Sequence, residues 1–304
     1  MKGKQSMAER DGFRAPDGQE ITLWRWPQCP GRPTLHWAHA TGFHGRLYTP
    51  LLENLTDSFN VVAWDMRGHG ASAGAGAGAA KASMLQGWEI YYRDLTALLD
   101  SLDEPIWLAG HSIGATTSIM AAARRPDKVR GLILAEPVIM DAWQGRMFWL
   151  AKRLRRSHRF ALAAGAARRR SVFESHAMAL SNYRGRGGFK TWPEAWLEAY
   201  VQHAFVPQDD QVRLACSPDW ESAIFANTEH NPWPGIRSVK CPVIALAAER
   251  QSTFSPAARK RFRTLQPSAD VSVLSGTTHF LPMERPDAVC DAVLQVLSPQ
   301  YHPV

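Results

Sequence analysis

Short apolar runs of two periodicities alternate along this chain. From Ile21 to Trp26 apolar and polar residues alternate, the pattern of a half-buried strand. Thr34 to Ala38 forms a second run and leads into His39-Ala40-Thr41-Gly42-Phe43. Asn60 to Trp64 forms a third and ends at Asp65. Between Ser83 and Leu102 the period changes. Trp88, Ile90, Tyr91, Leu95, Leu98 and Leu99 recur at three- and four-residue spacing, which predicts a helix. Strand-like Pro105–Ala109, alanine-rich helical Gly114–Arg124 and strand-like Gly131–Ala135 follow.

The alternation stops near Asp141. From there to about Trp233 the chain reads as helical, aromatic and rich in arginine. It resumes with Cys241–Ala247 and Asp270–Leu274, and a last helix is predicted from about Pro286 to Leu297. The tail Ser298–Val304 is expected to fray. Strands alternating with helices imply βαβ units and a largely parallel sheet, the α/β class. Residues 1–140 and 234–304 form the expected core, and 141–233 a helical cap inserted into it.

A chain of 304 residues with 45% hydrophobic residues can bury a full core without disulfide or metal staples. Cys29, Cys216, Cys241 and Cys290 are far apart and form no C-x-x-C pair, so packed free thiols are expected. No apolar run approaches the roughly 20 residues of a bilayer span, so no stable membrane insertion is expected. Met1 to Gly12 lacks the apolar region of a signal peptide, which leads to the expectation of a cytoplasmic protein. The net charge of +7 concentrates between Arg146 and Lys190. A solvated helical face is the preferred reading, and attraction of anionic substrates, membranes or nucleic acid the alternative. No nucleic-acid motif accompanies the arginines, so no nucleic-acid partner is expected. Ala71 to Ala82 alternates glycine and alanine without a P-loop ending and reads as a flexible connection.

The strongest chemical signal is Gly110-His111-Ser112-Ile113-Gly114 between a strand and a helix. This is the G-x-S-x-G elbow, whose tight turn projects the serine hydroxyl. A serine is a weak nucleophile without a base. His279, in the glycine-containing loop Gly276-Thr277-Thr278-His279 after the last predicted strand, is the candidate.

These motifs resemble the α/β-hydrolase superfamily over nearly the whole chain. His39 to Phe43 resembles its His-Gly oxyanion loop, with Ala40 in the glycine position. Asp65-Met66-Arg67-Gly68-His69-Gly70-Ala71-Ser72 matches its D-x-R-G-x-G-x-S segment. Gly276 to His279, followed by Met283-Glu284-Arg285-Pro286, resembles its G-x-G-H...E-x-P ending. The resemblance implies an α/β-hydrolase fold and an oxyanion hole made by the Ile113 N–H and a loop N–H from Thr41 or, alternatively, Phe43. It makes His39 and Asp65 structural. It puts the triad acid after strand seven, where counting from Pro242 reaches Gln251, which cannot serve. Two carboxylates remain. Glu249 lies two residues earlier. Glu136 ends a strand whose segment from Val129 resembles the haloalkane dehalogenases, some of which place the acid after strand six. Glu136 is preferred. Asp141 and His111 are expected near the active edge.

With serine as nucleophile, dehalogenase and epoxide hydrolase chemistry fall away. Ester, thioester, lactone, amide and carbon–carbon bond hydrolysis remain, and a carboxylic ester of a medium acyl or aryl group is the expected substrate. No cofactor or metal is implied. A ligand-binding, receptor-like protein with little turnover is the reading from another class, and a cofactor-free haloperoxidase or perhydrolase side activity a third. A homodimer is compatible with the sequence.

Overall fold

Apolar strands flanked by amphipathic helices can bury their side chains only by stacking as layers around a sheet. The computed structural model, which describes residues 8–73 and 81–301, has that arrangement. Gly74, Gly76 and Gly78 of the glycine–alanine stretch, the first seven residues and the last three of the tail lie outside the described residues.

The central sheet contains β1 (Glu9–Arg14), β2 (Glu20–Arg25), β3 (Thr34–Ala38), β4 (Asn60–Trp64), β5 (Ile106–His111), β6 (Val129–Ala135), β10 (Val243–Ala248) and β11 (Asp270–Leu274). Between β6 and β10 the insert contributes β7 (Val172–Phe173), β8 (Phe205–Gln208) and β9 (Gln211–Leu214). The helices are α1 (Thr49–Leu52), α2 (Glu89–Asp100), α3 (Ile113–Arg124), α4 (Ala142–Arg153), α5 (Ala161–Ala167), α6 (His176–Tyr183), α7 (Glu194–Ala204), α8 (Pro218–Ala226), α9 (Trp233–Ser238), α10 (Pro256–Leu265), α11 (Leu281–Glu284) and α12 (Pro286–Gln295). Spatial order in the large sheet is β1-β2-β4-β3-β5-β6-β10-β11. From β4 to β11 neighbours run parallel, while β1–β2 and β2–β4 are antiparallel.

Both faces of the sheet are covered. Trp37 and Trp107 are buried on one side with α1 and α12, and Trp64 and Leu108 on the other with α2 and α3. Strand β5 is buried at every position, as a central parallel strand must be. Its continuation into α3 therefore emerges at the carboxyl edge, where ligands bind in parallel sheets.

Four sequence expectations are corrected. The Ser83–Leu102 helix begins later: a 3-10 turn covers Ala82–Met84, and α2 starts at Glu89, after Gln86-Gly87. Strand β1 was not foreseen, because as an edge strand it is nearly all exposed. Its ladder to β2 and the Arg25–Asp11 and Arg14–Glu20 ion pairs hold it rather than burial. Strand β2 does not alternate; Ile21, Thr22 and Leu23 are all buried, and the Thr22 N–H donates to the Ser72 hydroxyl. The insert is not purely helical, since β7, β9 and β8 form a small antiparallel sheet. Strands as short as Val172–Phe173 leave no period to read. No helix among the described residues is long and apolar enough to cross a membrane. All four cysteines are free.

Candidate active site

The turn from β5 into α3 forces Ser112 to φ 58°, ψ −121°. A non-glycine residue held there stores on the order of 1–3 kcal/mol of strain. The flanking glycines make the turn feasible. A Cβ on Gly114 would sit 2.1 Å from the Ala38 carbonyl oxygen, and one on Gly110 2.7 Å from the Gly114 carbonyl carbon. Only glycine lets α3 start this close to β3. The Ser112 N–H donates to the Ala135 carbonyl (3.1 Å), which ties the elbow to β6.

His279 follows β11 in a loop pinned by Glu284, whose carboxylate accepts from the Thr278 N–H and hydroxyl, each at 2.6 Å. This places His279 Nε2 3.0 Å from Ser112 Oγ and Nδ1 3.0 Å from Glu136 Oε2. Glu136, with φ 50°, is fully buried at the end of β6. Its Oε1 accepts from the Ala248 N–H and the Ser252 hydroxyl, both at 2.6 Å, and its Oε2 from the Thr253 N–H at 2.9 Å. Burial pushes this carboxyl up, but the hydrogen bond and charge of His279, with the Ser252 and Ala248 donors, outweigh burial and hold it below the ordinary range.

The alternative carboxylate, Glu249, is directed elsewhere: it accepts from the Gly276 N–H at 2.8 Å. Gln251 stands where the resemblance put an acid. Its left-handed φ of 54° turns the loop so that the next two residues, Ser252 and Thr253, donate to Glu136. Sequence reasoning missed both. Their only signal was position immediately after Gln251.

The two candidate oxyanion donors differ in the loop after β3. The Phe43 N–H is committed to the Ala40 carbonyl at 3.1 Å. The Thr41 and Ile113 N–H groups donate to no other described residue, so both are available to an incoming oxygen. Ile113 is the first residue of α3, where helix geometry leaves N–H groups unpaired and a positive dipole end. The D-x-R-G-x-G-x-S segment shapes this loop. His69 Nε2 accepts from the Gly42 N–H (3.1 Å), and His39 Nε2 accepts from the Met66 N–H (2.8 Å). Asp65 accepts from the Gly45 and Ala71 N–H groups, and Arg67 is buried between Asp94 and Asp17. Asp141, expected near the active edge, caps α4, accepting from the Trp143 and Gln144 N–H groups.

Aromatic rings close the site. Phe43 lies 5.3 Å from Trp192, 5.8 Å from Tyr200 and 6.3 Å from Phe280 by ring centroids. Ser112 is consequently 7% exposed. Beside them Arg169 pairs with Glu221 at 2.9 Å and donates to the Tyr200 hydroxyl at 2.5 Å.

The sequence profile described as "Alpha/beta hydrolase family" matches residues 30–292. The chain is 25% identical to 2-(acetamidomethylene)succinate hydrolase of Mesorhizobium japonicum over 270 residues, 86% of each protein. It is 32% identical to monoglyceride lipase of Rattus norvegicus over 131 residues, 41% of each. The crystal structure of E-2-(acetamidomethylene)succinate hydrolase superposes with a TM-score of 0.73 at 23% identity, covering 95% of this chain and 99% of that one. With its parallel sheet, the elbow after β5 and a match over most of its length, this chain belongs to the alpha/beta hydrolase family.

Proposed function

We propose that this protein is a serine hydrolase acting on small or medium hydrophobic carboxylic esters through an acyl-serine intermediate. The observation that carries the reading is the unbroken hydrogen-bond relay Ser112–His279–Glu136. Because Glu136 accepts from Nδ1, the Nε2 of a neutral His279 is left as a lone pair facing the Ser112 hydroxyl. His279 takes the proton as Ser112 attacks the acyl carbonyl. The negative charge that develops on the carbonyl oxygen meets the Ile113 and Thr41 N–H groups, each worth about 3 kcal/mol by analogy with measured oxyanion donors. Glu136 stabilises the imidazolium. His279 then protonates the leaving alcohol, and water resolves the acyl-enzyme by the same sequence in reverse. The apolar acyl preference is supported by Phe43, Trp192 and Phe280 around the site.

A second reading, hydrolysis of a carboxylated substrate by the same residues, is favoured by the relative named for a succinate derivative. Hydrolysis of p-nitrophenyl esters across acyl lengths, with and without a terminal carboxylate, tests both. Turnover abolished by Ser112→Ala supports the serine mechanism. Preference for the charged series would replace the first reading by the second. No turnover on either series would turn attention to carbon–carbon, thioester or lactone substrates, or to a ligand-binding role.

A further inference from the structure

Of the twelve large apolar side chains that stand exposed among the described residues, seven lie between Trp143 and Leu162. Helix α4 organises them. Its inner side carries Gly145 and Phe148; a Cβ on Gly145 would lie 2.4 Å from the His230 carbonyl oxygen, and Phe148 stacks on the His230 ring. Trp143, Met147, Leu150 and Leu154, spaced by four, three and four residues, form one stripe on the opposite side. They are 70%, 44%, 42% and 53% exposed. No element among the described residues covers them.

Along the chain, the charge that follows the Asp141 cap is of one sign. From 142 to 173 the sequence contains nine lysines and arginines and no aspartate or glutamate. Arg146, Arg153, Arg155, Arg156 and Arg159 are exposed, and none pairs with a carboxylate among the described residues. The Arg153 guanidinium lies over the exposed Trp149 ring at 5.9 Å. A solvated basic face explains the arginines but not the apolar stripe between them. A second copy would cover the stripe but bring five more unpaired arginines against the first five. An acidic protein would answer the charge and leave tryptophan and leucine to be matched separately. A surface that is anionic at its head and apolar just beneath answers both at once.

We propose that α4 and the arginines that follow it dock the protein reversibly on an anionic lipid surface. The Trp143–Leu154 stripe enters the boundary between headgroups and acyl chains, and the arginines meet lipid phosphates. This is peripheral adsorption, compatible with the lack of a spanning helix among the described residues.

Co-sedimentation of the full chain with vesicles of phosphatidylcholine, with and without phosphatidylglycerol, tests it independently of any enzymatic activity. The expected result is partition at least about tenfold stronger onto the anionic vesicles, weakening with salt. The triple substitution Trp143→Ser, Leu150→Ser, Leu154→Ser should reduce binding about tenfold, and Arg153→Glu with Arg155→Glu and Arg156→Glu should abolish it. All six positions are exposed, and unchanged circular dichroism and melting confirm the fold. Failure to pellet with anionic vesicles at low salt overturns the proposal. So does binding that ignores the apolar substitutions, which would leave a charge-only face suited to an acidic protein. A dimer lost in the triple variant, without vesicle binding, would assign the stripe to a second copy.

Discussion

His111 Nε2 lies 2.7 Å from the backbone carbonyl oxygen of His279. A carbonyl only accepts, so Nε2 carries the proton and Nδ1 is left to accept from the Tyr48 hydroxyl at 2.8 Å. The Tyr48 oxygen in turn accepts from the Ala40 N–H at 3.3 Å. A chain of hydrogen bonds thus runs from the loop after β3, through the residue beside Ser112, to the backbone of His279. Burial and the neighbouring His279 keep His111 well below the usual histidine range and so neutral, although its bond to the His279 carbonyl works the other way.

This geometry makes His111 a positioning residue with a distinctive signature. Glutamine places an amide N–H where Nε2 stands, whereas asparagine reaches only the Nδ1 position. His111→Gln should keep ester kcat within about twofold of the parent. His111→Asn should lower kcat by about 2- to 10-fold at little change in KM, the worth of one lost hydrogen bond. Equal losses in both variants would reduce His111 to a space-filling role.

The two carboxylates on the final loops make separate predictions. Glu136→Gln leaves the shape intact but offers His279 Nδ1 an amide, so kcat on p-nitrophenyl esters should fall by roughly 10³- to 10⁴-fold, as in other serine relays. Glu249→Gln removes a charge but keeps an amide oxygen that can accept from the Gly276 N–H, and should stay within a few-fold. A larger loss at Glu249 than at Glu136 would reverse their assignment.

What was legible in the sequence follows from how local each signal is. The elbow could be read because Gly110 and Gly114 are forced by contacts within the turn itself and with the adjoining strand. The succession of parallel strands along the chain could be read because buried strands are apolar throughout, whereas their order in the sheet could not. Choosing between Glu136 and Glu249 needed a tertiary fact, the turn at Gln251 that aims Ser252 and Thr253 at Glu136. Tyr48 and Ala40 carry no sequence signal for their link to His111, since 63 residues separate Tyr48 from it. Strand β1 escaped because an edge ladder held by exposed ion pairs leaves no apolar pattern.

Trp192 sits between Phe43 and Phe280, at 5.3 and 5.7 Å. Phe280 in turn contacts the His279 ring at 5.7 Å. On the proposed reading these rings bound the acyl group. Trp192→Ala should shift the optimum of the p-nitrophenyl ester series to longer chains and raise their kcat/KM relative to acetate by about tenfold. Loss of the buried ring should also cost about 3–5 kcal/mol of stability, seen as a lower melting temperature. An unchanged chain-length profile would place the acyl path elsewhere.

Buried histidines set the acid stability of the fold. Burial pushes His36 down to about 3, with Arg25 adding to the effect. Burial likewise takes His44 and His69 down to about 4, against partly compensating backbone hydrogen bonds. In the unfolded chain each titrates near 6.5. Between that value and the folded one the unfolded chain binds protons that the folded chain refuses, so stability falls as pH falls through this window and is fully present above it. Passage through the whole window costs on the order of 3 kcal/mol for each of His44 and His69 and on the order of 5 kcal/mol for His36. His36 is the cleanest probe, because neither ring nitrogen has a hydrogen-bond partner among the described residues and the ring packs edge-on against Trp64 at 5.2 Å. His36→Leu should therefore leave stability at pH 8 little changed and flatten its decline toward pH 4, measured by urea unfolding midpoints at successive pH values. A parallel decline in parent and variant would mean that His36 titrates normally in the folded protein, with water reaching the ring.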